Sequence, residues 1–328
     1  MSFKSLKVVV TRKLPMLVEK RMLELFDAKL RESHHPMSDN DLKEAVKNTD
    51  VLVPSLGDKV SKLVLSQASS NLKLIANYGA GFDHIDIKTA IKKGIIVSNT
   101  PNVLSNDTAD MTLALILGVP RKIYEGSQII RSGEWGGWAP TALLGSRIGG
   151  KKLGILGMGR IGQAVAKRAT NFGLEIHYHN RTQLHTESET KLRTKYWKNL
   201  DDMLRQIDIL TIHVPHTPAT FHLINERRLR LLKKDAYIIN TARGEIIDED
   251  ALTRMLRTNQ LAGAGLDVYE NSKNINPRLR SLNNVLLLPH MGSATKESRI
   301  EMGEKVILNI KTFQDGHLPP DQILPNML

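Results

Sequence analysis

The sequence predicts an α/β protein made of two units, each a parallel sheet wrapped by helices. Three observations carry that reading. Short apolar stretches alternate with helix-forming segments along the chain, the pattern of β–α units whose strands run parallel. At 328 residues the chain exceeds the usual size of a single core. A glycine-rich turn, Gly157-Met158-Gly159-Arg160-Ile161-Gly162, stands mid-chain, whereas a simple dinucleotide fold carries it near the N-terminus.

The elements follow in order. The first section opens with a strand over residues 7–11, centred on Val8-Val9-Val10. A helix opened by Pro15 comes next, since the fixed φ of proline suits the first helical turn. A strand over 50–53 and an amphipathic segment over 60–68 precede a strand over 72–76. A helix over 85–93 is stopped by Gly94, and a strand over 95–98 follows. Residues 108–119 read as a long apolar helix. The second section starts at Lys152, with strands over 153–156, 175–179, 208–213, 237–240, 263–268 and 285–288 and helices between most of them. Residues 295–313 have helical periodicity and stop at Asp315-Gly316. No strand follows this last helix, so it is expected to cross back to the first unit. Pro319-Pro320 cannot be helical. Neither a short-period repeat nor a low-complexity segment is present.

Composition narrows the classes. With 41% hydrophobic and 24% charged residues the chain is an ordinary globular protein. It contains no cysteine, which excludes disulfides, thiolate metal sites and a cysteine nucleophile, and fits a reducing, cytoplasmic setting. The apolar run at the start, within Met1 to Val10, is too short for a signal peptide. The longest apolar span, 111–119, is far below the roughly 20 residues a membrane helix needs. The net charge of +12 comes from basic residues interleaved with acids, as in Glu297-Ser298-Arg299-Ile300-Glu301. There is no basic tail or RNA-binding signature, so neither nucleic acid nor membrane is expected as a partner. Such a surface does draw anionic small molecules. The histidines of His177-Tyr178-His179 and His213-x-x-His216 lack metal-helix spacing, and no metal site is expected.

The glycine turn has its required context, a strand before it and a helix opening at Gln163. Gly157 permits the tight turn, Gly159 the close approach of a pyrophosphate, and Gly162 close helix–strand packing. The helix start, with Arg160 and Ile161, offers N–H groups to phosphates. In this fold an acid at the end of the second strand normally holds the ribose 2′-hydroxyl. Here that strand runs into Asn180-Arg181-Thr182, with no acid. Neutral Asn180 does not repel a 2′-phosphate and Arg181 can pair with one, which favours NADP over NAD. The other reading makes Arg181 a surface loop residue and leaves NAD admissible. Three later strand ends carry chemistry: Asn240-Thr241-Ala242-Arg243-Gly244, Asp267-Val268-Tyr269, and Pro289-His290-Met291-Gly292. Ligands of open α/β sheets bind at the carboxyl ends of strands, so Arg243, Asp267 and His290 are expected on one edge beside the glycine turn.

With these segments in view, the chain resembles the D-isomer-specific 2-hydroxyacid dehydrogenases, and within them the glyoxylate/hydroxypyruvate reductase branch. The resemblance runs nearly end to end. It includes the stretch from Asn77 to Asp86, that from Ser98 to Leu104, Thr108-Ala109-Asp110, Arg131-Ser132-Gly133-Glu134-Trp135, the glycine turn, and the segments around Arg243 and His290. It implies two Rossmann-like domains with parallel sheets: a flavodoxin-like substrate domain over 1–105 plus 294–328, and a NAD(P)-binding domain over 106–293. It implies reduction of a small 2-oxo acid to a D-2-hydroxy acid. His290 would be the general acid, which suits an imidazole titrating near neutrality. Arg243 would bind the 2-oxo acid, with backbone N–H groups of Ala80 and Gly81 on its carboxylate. Asp267 would accept from the nicotinamide carboxamide, and Thr108 and Gly292 would line that pocket together with Thr241 and Ala242. A homodimer is implied, with Trp138 either contributed to the partner's site or buried in its own subunit's dimer contact.

One position departs from the family pattern. A carboxylate normally stands five residues after the strand-end Asp, within D-V-F-E-x-E-P, where it orients the catalytic histidine and raises its pKa. Here the stretch reads Asp267-Val268-Tyr269-Glu270-Asn271-Ser272-Lys273. Three readings stay open: His290 is oriented by Ser272 or water; Glu270 reaches it through a shifted loop; or turnover is weak and the chain is a nucleotide-binding regulatory protein on the same fold.

Overall fold

The computed structural model describes residues 5–325. The chain divides into two compact units: the described residues up to Leu104 with those from Ala294 onward, and Ser105–Ser293.

The first unit is a five-stranded parallel sheet in the order β2-β1-β3-β4-β5. Its strands are β1 (Lys7–Val10), β2 (Asp27–Lys29), β3 (Val51–Val53), β4 (Leu74–Ala76) and β5 (Ile96–Ser98). Alternate side chains face opposite layers. Val8, Val10, Val51, Val53 and Leu74 pack with Val18 and Met22 of helix Met16–Leu25 and with Met302, Val306 and Ile310 of helix Lys296–Gln314. Leu52, Ile75 and Val97 face Leu42, Val46, Val64 and Ala90 on the other side. The last helix therefore packs in the first unit. Its Gly303 lies so close to Val18 that a Cβ would stand 2.3 Å from Cγ2.

The second unit is a seven-stranded parallel sheet in the order β12-β11-β10-β9-β6-β7-β8. Its strands are β6 (Lys152–Leu156), β7 (Glu175–His179), β8 (Thr194–Tyr196), β9 (Ile209–Ile212), β10 (Tyr237–Asn240), β11 (Gly263–Leu266) and β12 (Val285–Leu287). One face packs on Leu115 and Ile116 of helix Ser105–Gly118 and on Val165 and Ala169 of helix Arg160–Asn171. The other covers Met203, Leu252 and Leu256. β6 lies between β9 and β7, so strand order reverses at the glycine turn that follows β6.

Two three-residue edge strands, β2 and β8, go beyond the sequence reading. Asp27-Ala28-Lys29 and Thr194-Lys195-Tyr196 are too short and too polar to show a strand pattern, and pairing with β1 and β7 makes them strands. Helix Asp39–Lys47 was also unanticipated, although Ser38 and Asp41 form a capping box at its start. No helix among the described residues is long and apolar enough to cross a membrane.

Candidate active site

The candidate site is built at the carboxyl edge of the second sheet. β6 ends at Leu156, and Gly157 turns the chain with φ +100°. A Cβ on Gly157 would stand 2.8 Å from the backbone carbon of His213. One on Gly162 would stand 2.2 Å from the Gly157 oxygen, inside any real contact distance, so helix and strand meet only because this residue is glycine. Gly159, which caps helix Arg160–Asn171, faces open space: no protein atom lies within 4 Å of where its Cβ would be. The three glycines thus divide as a pyrophosphate site requires, two forced by packing and one left clear on the ligand side. The first helical N–H groups, among them those of Arg160 and Ile161, have no intrahelical acceptor and suit phosphate oxygens. On this geometry the residues fit a bound NAD(P).

The end of β7 is tied to the turn. Asn180 Oδ1 accepts from the Met158 N–H at 2.7 Å, and the Asn180 carbonyl accepts from the Tyr196 hydroxyl at 3.3 Å. Asn180 therefore acts first as a brace for the glycine turn. Arg181 and Thr182 are exposed beyond it. His213, behind Gly157, bonds Thr211 Oγ1 through Nε2 at 2.9 Å, and burial pushes its pKa down to about 3. It stays neutral in the folded protein at ordinary pH.

The loop after β10 is shaped by buried Asn240. Its Oδ1 accepts from the Ala242 N–H at 3.0 Å and its Nδ2 donates to the Arg243 carbonyl at 2.8 Å. Arg243 Nη1 donates to the Ala242 carbonyl at 2.8 Å. Gly244 allows this loop to meet the next strand end, since a Cβ would stand 1.9 Å from the Tyr269 carbonyl carbon. Thr241 Oγ1 pairs with Thr112 Oγ1 at 2.9 Å, and Thr112 donates to the Thr108 carbonyl at 2.7 Å. Thr108 and Thr241 are thereby joined through one buried hydroxyl.

Asp267, fully buried after β11, accepts the backbone N–H of Met291 on one oxygen and of Gly292 on the other, each at 2.7 Å. The carboxylate holds the loop in which His290 takes a left-handed φ of +56°. That conformation is uncommon for a non-glycine residue and persists where surroundings enforce it. A Cβ on Gly292 would stand 3.2 Å from Asp267 Oδ2 and 3.5 Å from Thr108 Cγ2, so Gly292, Asp267 and Thr108 form one patch. Tyr269, absent from the sequence-based site, bonds the Leu288 carbonyl through its hydroxyl at 2.8 Å. Burial first, then the Asp267 charge, raises its pKa and keeps that donor protonated. The signal was present: a tyrosine stands where the family pattern has phenylalanine.

Ser272 lies on an exposed turn. Glu270 is engaged elsewhere: Oε1 meets His222 Nε2 at 2.8 Å, and Oε2 accepts from the Glu249 N–H at 3.4 Å. Trp138 is 84% exposed. Ala80 and Gly81 follow β4 in the first unit, where the Ala80 carbonyl accepts from Asn99 Nδ2 at 2.7 Å and the Gly81 carbonyl from Asn77 Nδ2 at 2.9 Å. Their carbonyls are thus occupied by side chains of the first unit. Among the described residues no cluster of three or more His, Asp or Glu is placed to hold a metal ion.

Residues 113–292 match the NAD-binding domain of the D-isomer specific 2-hydroxyacid dehydrogenases. The glyoxylate reductase of Thermococcus onnurineus is 42% identical over 96% of this chain and 94% of its own length. A glyoxylate reductase structure from Paecilomyes thermophila superposes with a TM-score of 0.86 at 33% identity, covering 99% of both chains. The NADPH-dependent glyoxylate/hydroxypyruvate reductase of Sinorhizobium meliloti, in complex with NADP and malonate, gives 0.87 at 32% identity, covering 98% of this chain and 97% of that one.

Proposed function

This chain belongs to the D-isomer specific 2-hydroxyacid dehydrogenase family, and from that premise we propose that it reduces glyoxylate, hydroxypyruvate or a similarly small 2-oxo acid with NADPH. The observation that carries the reading is the second sheet's carboxyl edge, where the loops of Arg243 and His290 stand with the glycine turn. Bound NADPH supplies a hydride to the carbonyl carbon. Arg243 pairs with the oxo acid through its planar donors. His290 gives a proton to the carbonyl oxygen as it gains charge. Asp267 fixes the His290 loop and, with Thr108, Thr241, Ala242 and Gly292, lines the nicotinamide pocket. Neutral Asn180 and exposed Arg181 support NADPH over NADH.

Purified protein mixed with NADPH and glyoxylate is expected to lose the absorbance of the reduced nicotinamide. No oxidation across a panel of 2-oxo acids, with NADPH still bound, supports the second reading, a nucleotide-binding regulatory protein. That reading rests on Ser272, an exposed and uncharged residue where the family has its supporting carboxylate.

The working form is a homodimer. Helix Ile123–Ser132 buries none of its residues, and the segment after it exposes Trp135, Trp138 and Leu144 at 59%, 84% and 65%. Large apolar side chains left exposed along one stretch support a contact with another protein. Light scattering is expected to give twice the chain mass, and Trp138→Ala combined with Ile130→Asp a lower one.

A further inference from the structure

The first unit carries a cation whose role the proposed reaction leaves open. Its sheet order, β2-β1-β3-β4-β5, reverses between β1 and β3. In open α/β sheets the crevice at the carboxyl ends of the strands flanking such a reversal is where ligands bind. Arg12 follows β1 there, and the segment from Ser55 to Asp58 follows β3. The Arg12 side chain is 22% exposed and lies over Gly57, where an added Cβ would stand 2.6 Å from Nη2. Gly57 has φ +93°, so both its conformation and its missing side chain make room for the guanidinium.

A plain structural ion pair with Asp58 does not account for this arrangement. The closest approach, Arg12 Nε to Asp58 Oδ2, is 3.9 Å, beyond hydrogen-bond reach. Asp58 is fully buried and already taken. Oδ2 accepts from Thr11 Oγ1, the Ser55 N–H and Ser55 Oγ at 2.6, 2.9 and 3.1 Å, and Oδ1 from the Met37 N–H at 3.0 Å. Arg12 Nε is buried with no hydrogen-bond acceptor among the described residues. The positive charge of Arg31 also acts on Arg12, while Glu19 and Glu32 pair with Lys13. A half-buried guanidinium with an unmet donor is costly in isolation, and a planar anion answers it with paired acceptors.

We propose that the carboxyl ends of β1 and β3 form a binding site for a small carboxylate, with Arg12 as its ligating cation and Gly57 as the space that admits the guanidinium. The site is separate from the roles given to Arg243 and His290 and does not require that the chain turn over glyoxylate.

Calorimetric titration of the full chain with malonate tests it. Arg12→Gln is expected to weaken malonate binding at least tenfold. Arg12→Lys keeps a positive charge near Asp58, and so protects the fold should the glutamine variant unfold; it loses affinity severalfold because an ammonium lacks the planar donor pair. Malonate held by Arg243 alone would leave both variants at wild-type affinity, and that result overturns the proposal. The source of the carboxylate is read from inhibition of glyoxylate reduction in the wild type. Noncompetitive inhibition that weakens in Arg12→Lys makes it a free effector and supports the site; inhibition unchanged in Arg12→Lys places the malonate elsewhere and counts against it.

Discussion

At the scale of single residues, the proposed cofactor choice and proton supply turn on Arg181 and Ser272. Arg181 is exposed beside Asn180, and the proposed reading has it meet a 2′-phosphate. Loss of a charge-assisted contact costs about 1.5–3 kcal/mol. Arg181→Asp is therefore expected to raise the KM for NADPH by about tenfold or more while NADH is used as well or better; an unchanged NADPH KM would refute the assignment. Ser272 stands where the family pattern has a carboxylate, five residues after Asp267. In Ser272→Glu the added negative charge favours imidazolium and is expected to move the alkaline limb of the kcat/KM profile to higher pH. A profile unmoved by that substitution would discard the account. The motif residues of this site were legible in the sequence because each has a backbone or charge reason to be where it is. For Tyr269 only the departure from phenylalanine was visible, because its role lies in reaching the Leu288 carbonyl just past β12.

At the scale of elements, the site depends on how closely helices and strands approach. The 2.2 Å between a Gly162 Cβ and the Gly157 oxygen means that Gly162→Ala must push helix Arg160–Asn171 off β6. Overpacking of this kind costs about 1–3 kcal/mol. The variant is expected to unfold at a lower temperature and to bind NADPH at least tenfold more weakly; a wild-type dissociation constant by fluorescence titration would count against the packing argument. Gly159→Ala separates the two effects. Its Cβ meets no protein atom within 4 Å, so stability is expected to stay near wild type while NADPH affinity falls. The buried strands were read from the sequence within two residues, whereas the apolar helix expected over 108–119 begins three residues earlier, at Ser105. The edge strands β2 and β8 were not read, because three-residue polar segments acquire strand geometry only from the neighbour they pair with.

At the scale of the whole molecule, partly buried His213 and buried His177 couple folding to pH. His213 has its pKa lowered to about 3, so between that value and its ordinary value of 6.5 the unfolded chain binds a proton that the folded chain refuses. Stability therefore falls as pH drops through 6.5 and continues to fall toward 3, with a limiting slope of about 1.4 kcal/mol per pH unit for one such group. His177, lowered mainly by burial and then by Lys152 and Lys195, acts in the same direction. Urea denaturation at stepped pH is expected to show the loss, and His213→Gln to flatten it; equal slopes in the two proteins would assign the acid lability elsewhere.

The sequence by itself determined the α/β class, the nucleotide turn, the strand ends that carry Arg243, Asp267 and His290, and the missing carboxylate at Ser272. These are local matters: periodicity, glycine spacing and residue type suffice to read them. Only the tertiary structure decided that Asp267 grips the His290 loop, that Asn180 braces the glycine turn, that Glu270 is bound to His222, and that Arg12 lies over Gly57 beside a saturated Asp58. Each of these joins residues far apart in the chain. The reason is physical: hydrogen bonds and close approaches across a sheet edge depend on strand order and register, which no local stretch of sequence encodes.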